Sequence, residues 1–201
     1  MRKASTVLGL VICICIGAAA QKNQLSGDVG VKFAPSVGTA SGPNGVTKAS
    51  SSLAFEVNYA RTIHRIPEVV AVQVEVPFVF VTQADIKNIN LNTASGYKAM
   101  FLTPSLKFQV LPDARLSPWV SFGAGFARLT ASKTTLAGTP SPGIITEKPA
   151  YQGGAGLDFK VHKITFRMEG RELYTGTPNL NVSSIKLHHN IMIAGGVVLN
   201  F

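Results

Sequence analysis

Hydrophobic and polar residues alternate along most of this chain, in repeated blocks separated by polar segments. In the block at 69–81, for example, apolar side chains at the even positions alternate with Gln73 and Glu75. Strict alternation is typical of a β-strand whose two faces meet different surroundings. No long stretch shows the 3.6-residue period of an amphipathic helix. The pattern therefore predicts an all-β protein.

Eight such blocks can be read along the chain. We predict strands at 28–34, 52–61, 69–81, 98–111, 119–129, 151–161, 164–174 and 190–201. Most of them have about the length, roughly 9–11 residues, that a tilted strand needs to cross a bilayer. Pro77 and Pro104 fall inside two of these strands, where each removes a backbone donor, so we expect a bulge or a strand extending beyond the bilayer there.

The connections between the predicted strands alternate in length. The long ones are 35–51, 82–97, 130–150 and 175–189, and the short ones are 62–68, 112–118 and 162–163. Long loops on one rim and short turns on the other are typical of outer-membrane barrels. We therefore predict an eight-stranded antiparallel up-and-down transmembrane β-barrel, with both mature termini on the periplasmic side. The alternative, a soluble lipocalin-like barrel with its apolar face inward, does not explain this sorting of the loops.

The first twenty residues are predicted to be a cleavable signal peptide. Arg2 and Lys3 precede a short apolar stretch, and small residues at 17–20 offer a cleavage site. The barrel domain is then 21–201. Cleavage removes both cysteines, Cys13 and Cys15, so we expect no disulfide in the exported protein.

The charge of the chain is basic, at +9, or +7 once Arg2 and Lys3 are removed. The cations are scattered and no nucleic-acid-binding motif is present, so we expect no nucleic-acid partner. Attraction to the anionic headgroups of outer-membrane lipid and lipopolysaccharide is the simpler explanation.

The polar face of the predicted strands collects acids and bases in equal number. The acids are Asp28, Glu56, Glu75, Asp158 and Glu169, and the bases are Lys32, Lys107, Lys160, Arg167 and Arg171. An eight-stranded barrel has an interior just wide enough for side chains to fill. We therefore predict a polar, plugged lumen that holds an ion-pair network, with small residues beside the long charged ones. The predicted network is Glu56, Glu75, Lys107, Asp158, Lys160, Arg167, Glu169 and Arg171.

Four segments resemble the outer-membrane β-barrel domain family, which includes the small OmpA-type and OmpX-type barrels. They lie at 119–129 (WVSFGAGFARL), 152–159 (QGGAGLDF) and 166–171 (FRMEGR), and in the closing run that ends in Leu199-Asn-Phe201. The resemblance covers essentially the whole mature chain. It implies insertion by the barrel-assembly machinery, which in this family reads a terminal aromatic such as Phe201. No OmpA-type peptidoglycan-binding domain is present, so a cell-wall tether is not implied.

Other candidate chemistry in the sequence is weak. Ser183, Ser184, His188 and His189 lie close together near Glu172, but no framework fixes them as a hydrolase site. Adjacent histidines on a strand point to opposite faces, which disfavours a shared ion. We expect no catalytic residue, no metal and no cofactor.

Three functions follow from these expectations. The leading hypothesis is a monomeric, non-enzymatic outer-membrane protein with a structural or surface-interaction role. The alternatives are a narrow porin-like channel for small solutes and a lipid-modifying barrel enzyme.

Overall fold

The protein is a closed β-barrel in a computed structural model that describes residues 23–33, 47–49, 51–88, 93–133, 144–162, 164–175 and 189–201. The strands are β1 Asn23–Phe33, β2 Thr47–Ala49, β3 Ser52–Ile66, β4 Val70–Asn88, β5 Thr93–Leu102, β6 Ser105–Val110, β7 Leu116–Lys133, β8 Ile144–Val161, β9 Ile164–Thr175 and β10 His189–Asn200. None of the described residues belongs to a helix that could span a membrane.

The ten strands make eight positions in the barrel wall. β5 and β6 follow one another between β4 and β7, and the short β2 extends the sheet by pairing with the end of β4. All pairings are antiparallel, and β1 pairs with β10 to close the wall. Beyond the last strand, the backbone N–H of Asn23 donates to the carbonyl of Phe201 at 2.7 Å, and the reverse bond measures 3.0 Å. The predicted eight-stranded antiparallel barrel is confirmed.

Two of the predicted long loops are largely strand. β4 continues to Asn88 and β5 begins at Thr93, inside the predicted loop 82–97, and β7 and β8 extend in the same way into 130–150. The strands run past the point where their hydrophobic alternation ends. Alternation records the surroundings of side chains, whereas the backbone ladder needs only a paired neighbour, so the sequence pattern underestimates strand length.

The wall is interrupted beside Pro104. Thr103 and Pro104 separate β5 from β6, which the sequence analysis predicted as one strand. Thr103 N–H still donates to the carbonyl of Pro77 at 3.4 Å, and Ala124 N–H donates to the carbonyl of Pro104 at 3.2 Å. A side chain at Gly125 on the neighbouring β7 would collide with the backbone of Leu102, so glycine is required where the interrupted strand approaches closely.

The two faces of the wall are sorted as the alternation predicts. Large apolar side chains point outward around the whole barrel, and Phe122 and Met168 are 63% and 69% exposed. Charged and polar side chains point inward, including Glu75, Lys107 and Arg171, which are fully buried. The predicted placement of hydrocarbon outside and ionised groups inside is confirmed.

The lumen nevertheless has an apolar half that the sequence analysis missed. On the long-loop side of the charged residues lies a cluster that we call the apolar plug. Its members are Ala54, Val79, Val81, Ala99, Phe101, Ala127, Leu129, Ala150, Leu173, Met192 and Ala194. Along β9, for instance, Arg171 is followed at the next inward position by Leu173. The prediction of a polar lumen is wrong for this half, since the inward positions there fill the interior with hydrocarbon.

Several predicted features lie outside the described residues. These are the signal peptide at 1–20, most of the first and last long loops, and Ser183, Ser184 and His188. The division into a signal peptide and a barrel at 21–201 stays a prediction.

Candidate functional site: the charged lumen

The charged half of the lumen is built from charged side chains at inward positions on six of the eight wall strands. Cross-strand register brings these positions together: Glu56 on β3 lies opposite Asp28 on β1, and Asp158 on β8 lies opposite Arg167 on β9. We call this half the ionic layer. The predicted members Glu56, Glu75, Lys107, Asp158, Arg167, Glu169 and Arg171 all lie here and are buried.

Arg171 holds three carboxylates with one guanidinium group. Its Nη2 lies 2.8 Å from Glu56 Oε1, its Nη1 3.1 Å from Glu75 Oε1 and its Nε 2.9 Å from Glu169 Oε1. A guanidinium has five N–H donors in a planar fork, so it can bond several carboxylates where a lysine would act as a point charge. This geometry joins β3, β4 and β9 across the interior and makes Arg171 the centre of the layer.

A second cluster forms around Asp158. Arg167 donates to both of its oxygens, from Nε at 2.8 Å and from Nη2 at 2.9 Å. Trp119 Nε1 donates to Asp158 Oδ1 at 3.1 Å, and Lys107 Nζ lies 3.6 Å from Oδ2. A bidentate arginine–carboxylate pair is stronger and more directional than a single contact. Asp158 therefore fixes Arg167 against the indole.

Trp119 was not recognised in the sequence analysis, although it occupies the middle of the network. Lys107 Nζ lies 4.5 Å from its ring centroid, and the guanidinium carbons of Arg167 and Arg171 lie at 5.2 and 5.4 Å. Contacts of this kind between a cation and the face of an aromatic ring stabilise by about 0.5–2 kcal/mol. The signal was available, because alternation in the predicted strand 119–129 places Trp119 on the same side as Ser121.

Small residues make room for these side chains, as predicted. A Cβ at Gly154 would lie 2.9 Å from Ser121 Oγ and 3.4 Å from Arg171 Cγ. A Cβ at Gly156 would lie 2.6 Å from the indole ring of Trp119. Any larger residue at Gly156 would push the tryptophan out of its place between the cations.

Neutral polar groups fill the space between the ion pairs. Asn58 Nδ2 donates to Glu75 Oε2 at 2.9 Å. Gln152 Nε2 donates to Ser105 Oγ at 2.7 Å, while its Oε1 accepts from Thr103 Oγ1 at 2.8 Å. These side chains orient the carboxylates without adding charge.

Lys160 is the one predicted network member that the structure places elsewhere. It lies at the short-turn rim, where its Nζ donates to the carbonyl of Pro112. It lines a cavity of about 440 Å³ together with Gln24, Gln73, Gln109, His162 and other residues of that rim. Its position near the end of β8 explains the difference, since Asp158 is the last acidic inward position before the turn.

The same rim carries an exposed ion pair between Arg65 and Asp113. The backbone N–H of Glu68 also donates to Asp113, at 3.2 Å. The hydrogen bond from Arg65, with the one from Glu68, holds the pKa of Asp113 below its ordinary value. This pair links the turn after β3 to the turn after β6.

At the opposite rim, His189 Nδ1 contacts a carboxylate oxygen of Glu172. Tyr174 packs edge-on against the same imidazole, with ring centroids 5.3 Å apart. All three side chains are exposed, and the other members of the hydrolase candidate lie outside the described residues. The contact therefore gives a histidine–carboxylate pair without a described nucleophile.

The fold has clear counterparts among solved structures. The barrel is similar to the outer membrane protein OprG of Pseudomonas aeruginosa, with a TM-score of 0.57, 11% identity, and 90% of this chain and 96% of that chain covered. It is also similar to a major outer membrane protein from Thermus thermophilus, with a TM-score of 0.55 and 8% identity. That match covers 89% of this chain and 99% of the other chain. A third similar structure is Ail, the attachment invasion locus protein of Yersinia pestis, with a TM-score of 0.52 and 11% identity. That match covers 90% of this chain and 97% of the other chain.

The sequence itself shows no such relatives. Neither a protein-family model nor a curated protein matches it. The likeness to known proteins is thus one of structure, and the chain has the fold of the small outer-membrane β-barrels.

Proposed function

We propose that this protein is an integral β-barrel of a bacterial outer membrane, with a structural or surface-interaction role and no enzymatic activity. The observation that carries the proposal is the inverted sorting of the wall, with ionised groups inside and large apolar side chains exposed outside. In water such a belt would far exceed the few hundred Å² of contiguous apolar surface that soluble monomers expose. In a bilayer the same belt faces hydrocarbon, and the pairing of β1 with β10 closes the wall, so that its strands need no further partner in the lipid.

The two filled halves of the lumen support a sealed barrel. A small solute would have to displace Phe101 and Leu173 in the apolar plug and then break the contacts of Arg171 in the ionic layer. A conducting barrel needs a water-filled path, whereas eight strands leave an interior that side chains can fill. We therefore favour the non-conducting role over a narrow pore.

The orientation and partners follow from the same architecture. The short turns lie at the same end of the barrel as Asn23 and Phe201, and we place that end in the periplasm, as short turns are in outer-membrane barrels. The four long connections would then face the cell exterior and carry the surface interactions. Phe201, which is exposed at the end of β10, would be read by the barrel-assembly machinery. Outer-membrane lipid and lipopolysaccharide would surround a monomer.

Heat-modifiable migration tests the barrel in its membrane. The full protein, extracted from outer membranes in mild detergent, should migrate differently on a denaturing gel before and after boiling. Recovery of the protein only from the soluble fraction, with identical migration in both lanes, would contradict the proposal.

Planar-bilayer recording tests the sealed lumen separately. The purified protein should insert without producing a steady current, and a variant with Phe101→Gly and Arg171→Gly should produce one because both layers are opened. A steady, reproducible current from the unmodified protein would contradict the sealed lumen and favour the function of a narrow pore.

A further inference from the structure

Three buried carboxylates of the ionic layer converge on one point. Asp28 lies directly opposite Glu56 in the β1–β3 register, and Glu169 reaches towards them from β9 across β10. One oxygen from each carboxylate lies within 4.8 Å of the other two. The strand between them carries small residues, Ala194 and Gly196, at the inward positions. The register therefore brings three acids together where the strand between them has only small side chains.

The surroundings of Asp28 are an independent observation, because they indicate that its buried carboxylate lacks a bonding partner. Its side chain is 2% exposed, and among the described residues neither Oδ1 nor Oδ2 accepts a hydrogen bond. Buried polar atoms in proteins are nearly always paired, and a buried carboxylate without a partner costs several kcal/mol. Glu169 differs from Asp28, because its two oxygens accept hydrogen bonds from Arg171. Glu56 lies 2.8 Å from Arg171 Nη2, but among the described residues neither of its oxygens accepts a hydrogen bond.

The charges of the lumen are also out of balance. Among the described residues, five acids are buried, namely Asp28, Glu56, Glu75, Asp158 and Glu169, against four bases, namely Lys32, Lys107, Arg167 and Arg171. The bases are unevenly placed, since Arg167 and Lys107 both contact Asp158. Arg171 is therefore the one arginine that contacts the three glutamates. Like charges directly opposite each other on neighbouring strands, as Asp28 and Glu56 are, destabilise a sheet. The side of the layer near Asp28 therefore holds more acids than bases.

We propose that Asp28, Glu56 and Glu169 bind a divalent cation inside the barrel, and that the ion is calcium. Calcium takes carboxylate oxygens at about 2.3–2.6 Å in flexible geometry, which suits three ligands on separate rigid strands. Magnesium requires about 2.0–2.1 Å and a nearly ideal octahedron, which this triangle fits less well. The ion would pair with Asp28 and remove the repulsion between Asp28 and Glu56.

The sequence analysis considered only histidines as metal ligands and expected no metal. The three acids are far apart in the chain, and only cross-strand register unites them. The inference goes beyond the outer-membrane role and is independent of it, since it concerns the folded barrel alone. The site lies beneath the apolar plug, so the ion would be taken up as the barrel closes.

Refolding with and without calcium tests the site. The full protein is unfolded in urea, refolded into detergent with either calcium chloride or EDTA, freed of unbound ions, and analysed for retained calcium. We expect about one calcium ion per folded chain and a higher urea midpoint in the calcium sample than in the EDTA sample. Asp28→Asn should lower calcium retention at least about tenfold, because the site loses its one fully available charged ligand. In EDTA this variant should fold at least as well as the unmodified protein.

Glu172→Gln is the matched control, because it removes one acid of the same barrel at an exposed position on the opposite rim. It should retain calcium fully. Should Asp28→Asn fail to fold, Glu56→Gln provides a second variant with the same expected loss of calcium.

Three results would overturn the proposal. The first is an unmodified protein that retains no calcium and has equal midpoints in calcium and EDTA. The second is equal retention by Asp28→Asn, which would place the ion elsewhere in the chain. The third is a midpoint that rises on acidification but not with calcium, which would show that a proton occupies the site.

Discussion

The two halves of the lumen are enclosed by the same wall but filled with opposite chemistry. In the ionic layer, Arg171 is stabilised only while three carboxylates keep their positions around it. In the apolar plug, residues such as Phe101 and Leu173 need volume and contact but no particular orientation. The comparison shows that one strand can change the chemistry of its inward face halfway along its length, so the two halves should respond differently to substitution.

Arg171→Met should have the largest effect. It leaves three buried carboxylates without their shared cation, and breaking a buried ion pair from one side costs roughly 3–5 kcal/mol. We expect an equivalent loss in the free energy of unfolding, measured by urea titration in lipid vesicles. Adding Glu56→Gln, Glu75→Gln and Glu169→Gln to the same chain should restore most of it. A loss that remained unchanged in that combined variant would show that packing, and not charge, sets the importance of Arg171.

Phe101→Ala should have a somewhat smaller effect. Removing a buried phenylalanine from a packed core leaves a cavity and costs about 3 kcal/mol. Because no ion is involved, the loss should not depend on salt concentration. Phe108→Ala is the control on the outer face of the same wall strand, where the side chain is 39% exposed. A larger loss for Phe108→Ala than for Phe101→Ala would contradict the description of the plug as a packed core.

Asp113→Asn should show a pH dependence that the apolar plug, which contains no titratable side chain, does not share. The pKa of Asp113 is lowered in the folded state by Arg65, so its contribution to stability is present above the unfolded pKa of about 3.9. That contribution is lost as the pH falls through the lower folded value. The difference in unfolding free energy between the unmodified protein and Asp113→Asn should therefore be constant near neutrality and vanish in acid. A difference that persisted at the lowest pH would exclude this ion pair as its source.

Glu68→Asn should have the smallest effect, and a favourable one. Glu68, Leu111 and His162 lie in the three short turns, each with a positive φ. The left-handed conformation costs a typical residue about 1 kcal/mol, and asparagine tolerates it better. We expect a gain of about 0.5 kcal/mol in the free energy of unfolding. Glu68→Val should instead lower the free energy of unfolding, because a β-branched side chain is disfavoured at a positive φ.

The sequence predicts the fold well because alternation directly reports which side chains face lipid. It places Glu75, Arg167 and Glu169 inside and Phe122 outside without any knowledge of pairing. Alternation does not predict the apolar plug. Val79 points inward between the outward Phe78 and Phe80, so all three positions are apolar and the sequence no longer distinguishes the inward face from the outward one. Lys160 was misplaced because the pattern gives the face of a residue and not its height in the barrel.

Pairing within the site was beyond prediction for a further reason. Arg167 and Ser26 are separated by 141 positions in the chain and meet through the closure of the barrel. Such contacts depend on the stagger of every strand between them, which no local pattern contains. The meeting of Asp28, Glu56 and Glu169 has the same origin.

Trp119 gives this barrel a built-in optical reporter. It is the sole tryptophan of the chain, and it is buried beside the side chains of Lys107, Arg167 and Arg171. If the indole is excited selectively, all of its fluorescence will therefore come from this one side chain inside the lumen. Rearrangement of the surrounding cations would change the wavelength of that emission, so the state of the interior could be followed in real time without any label.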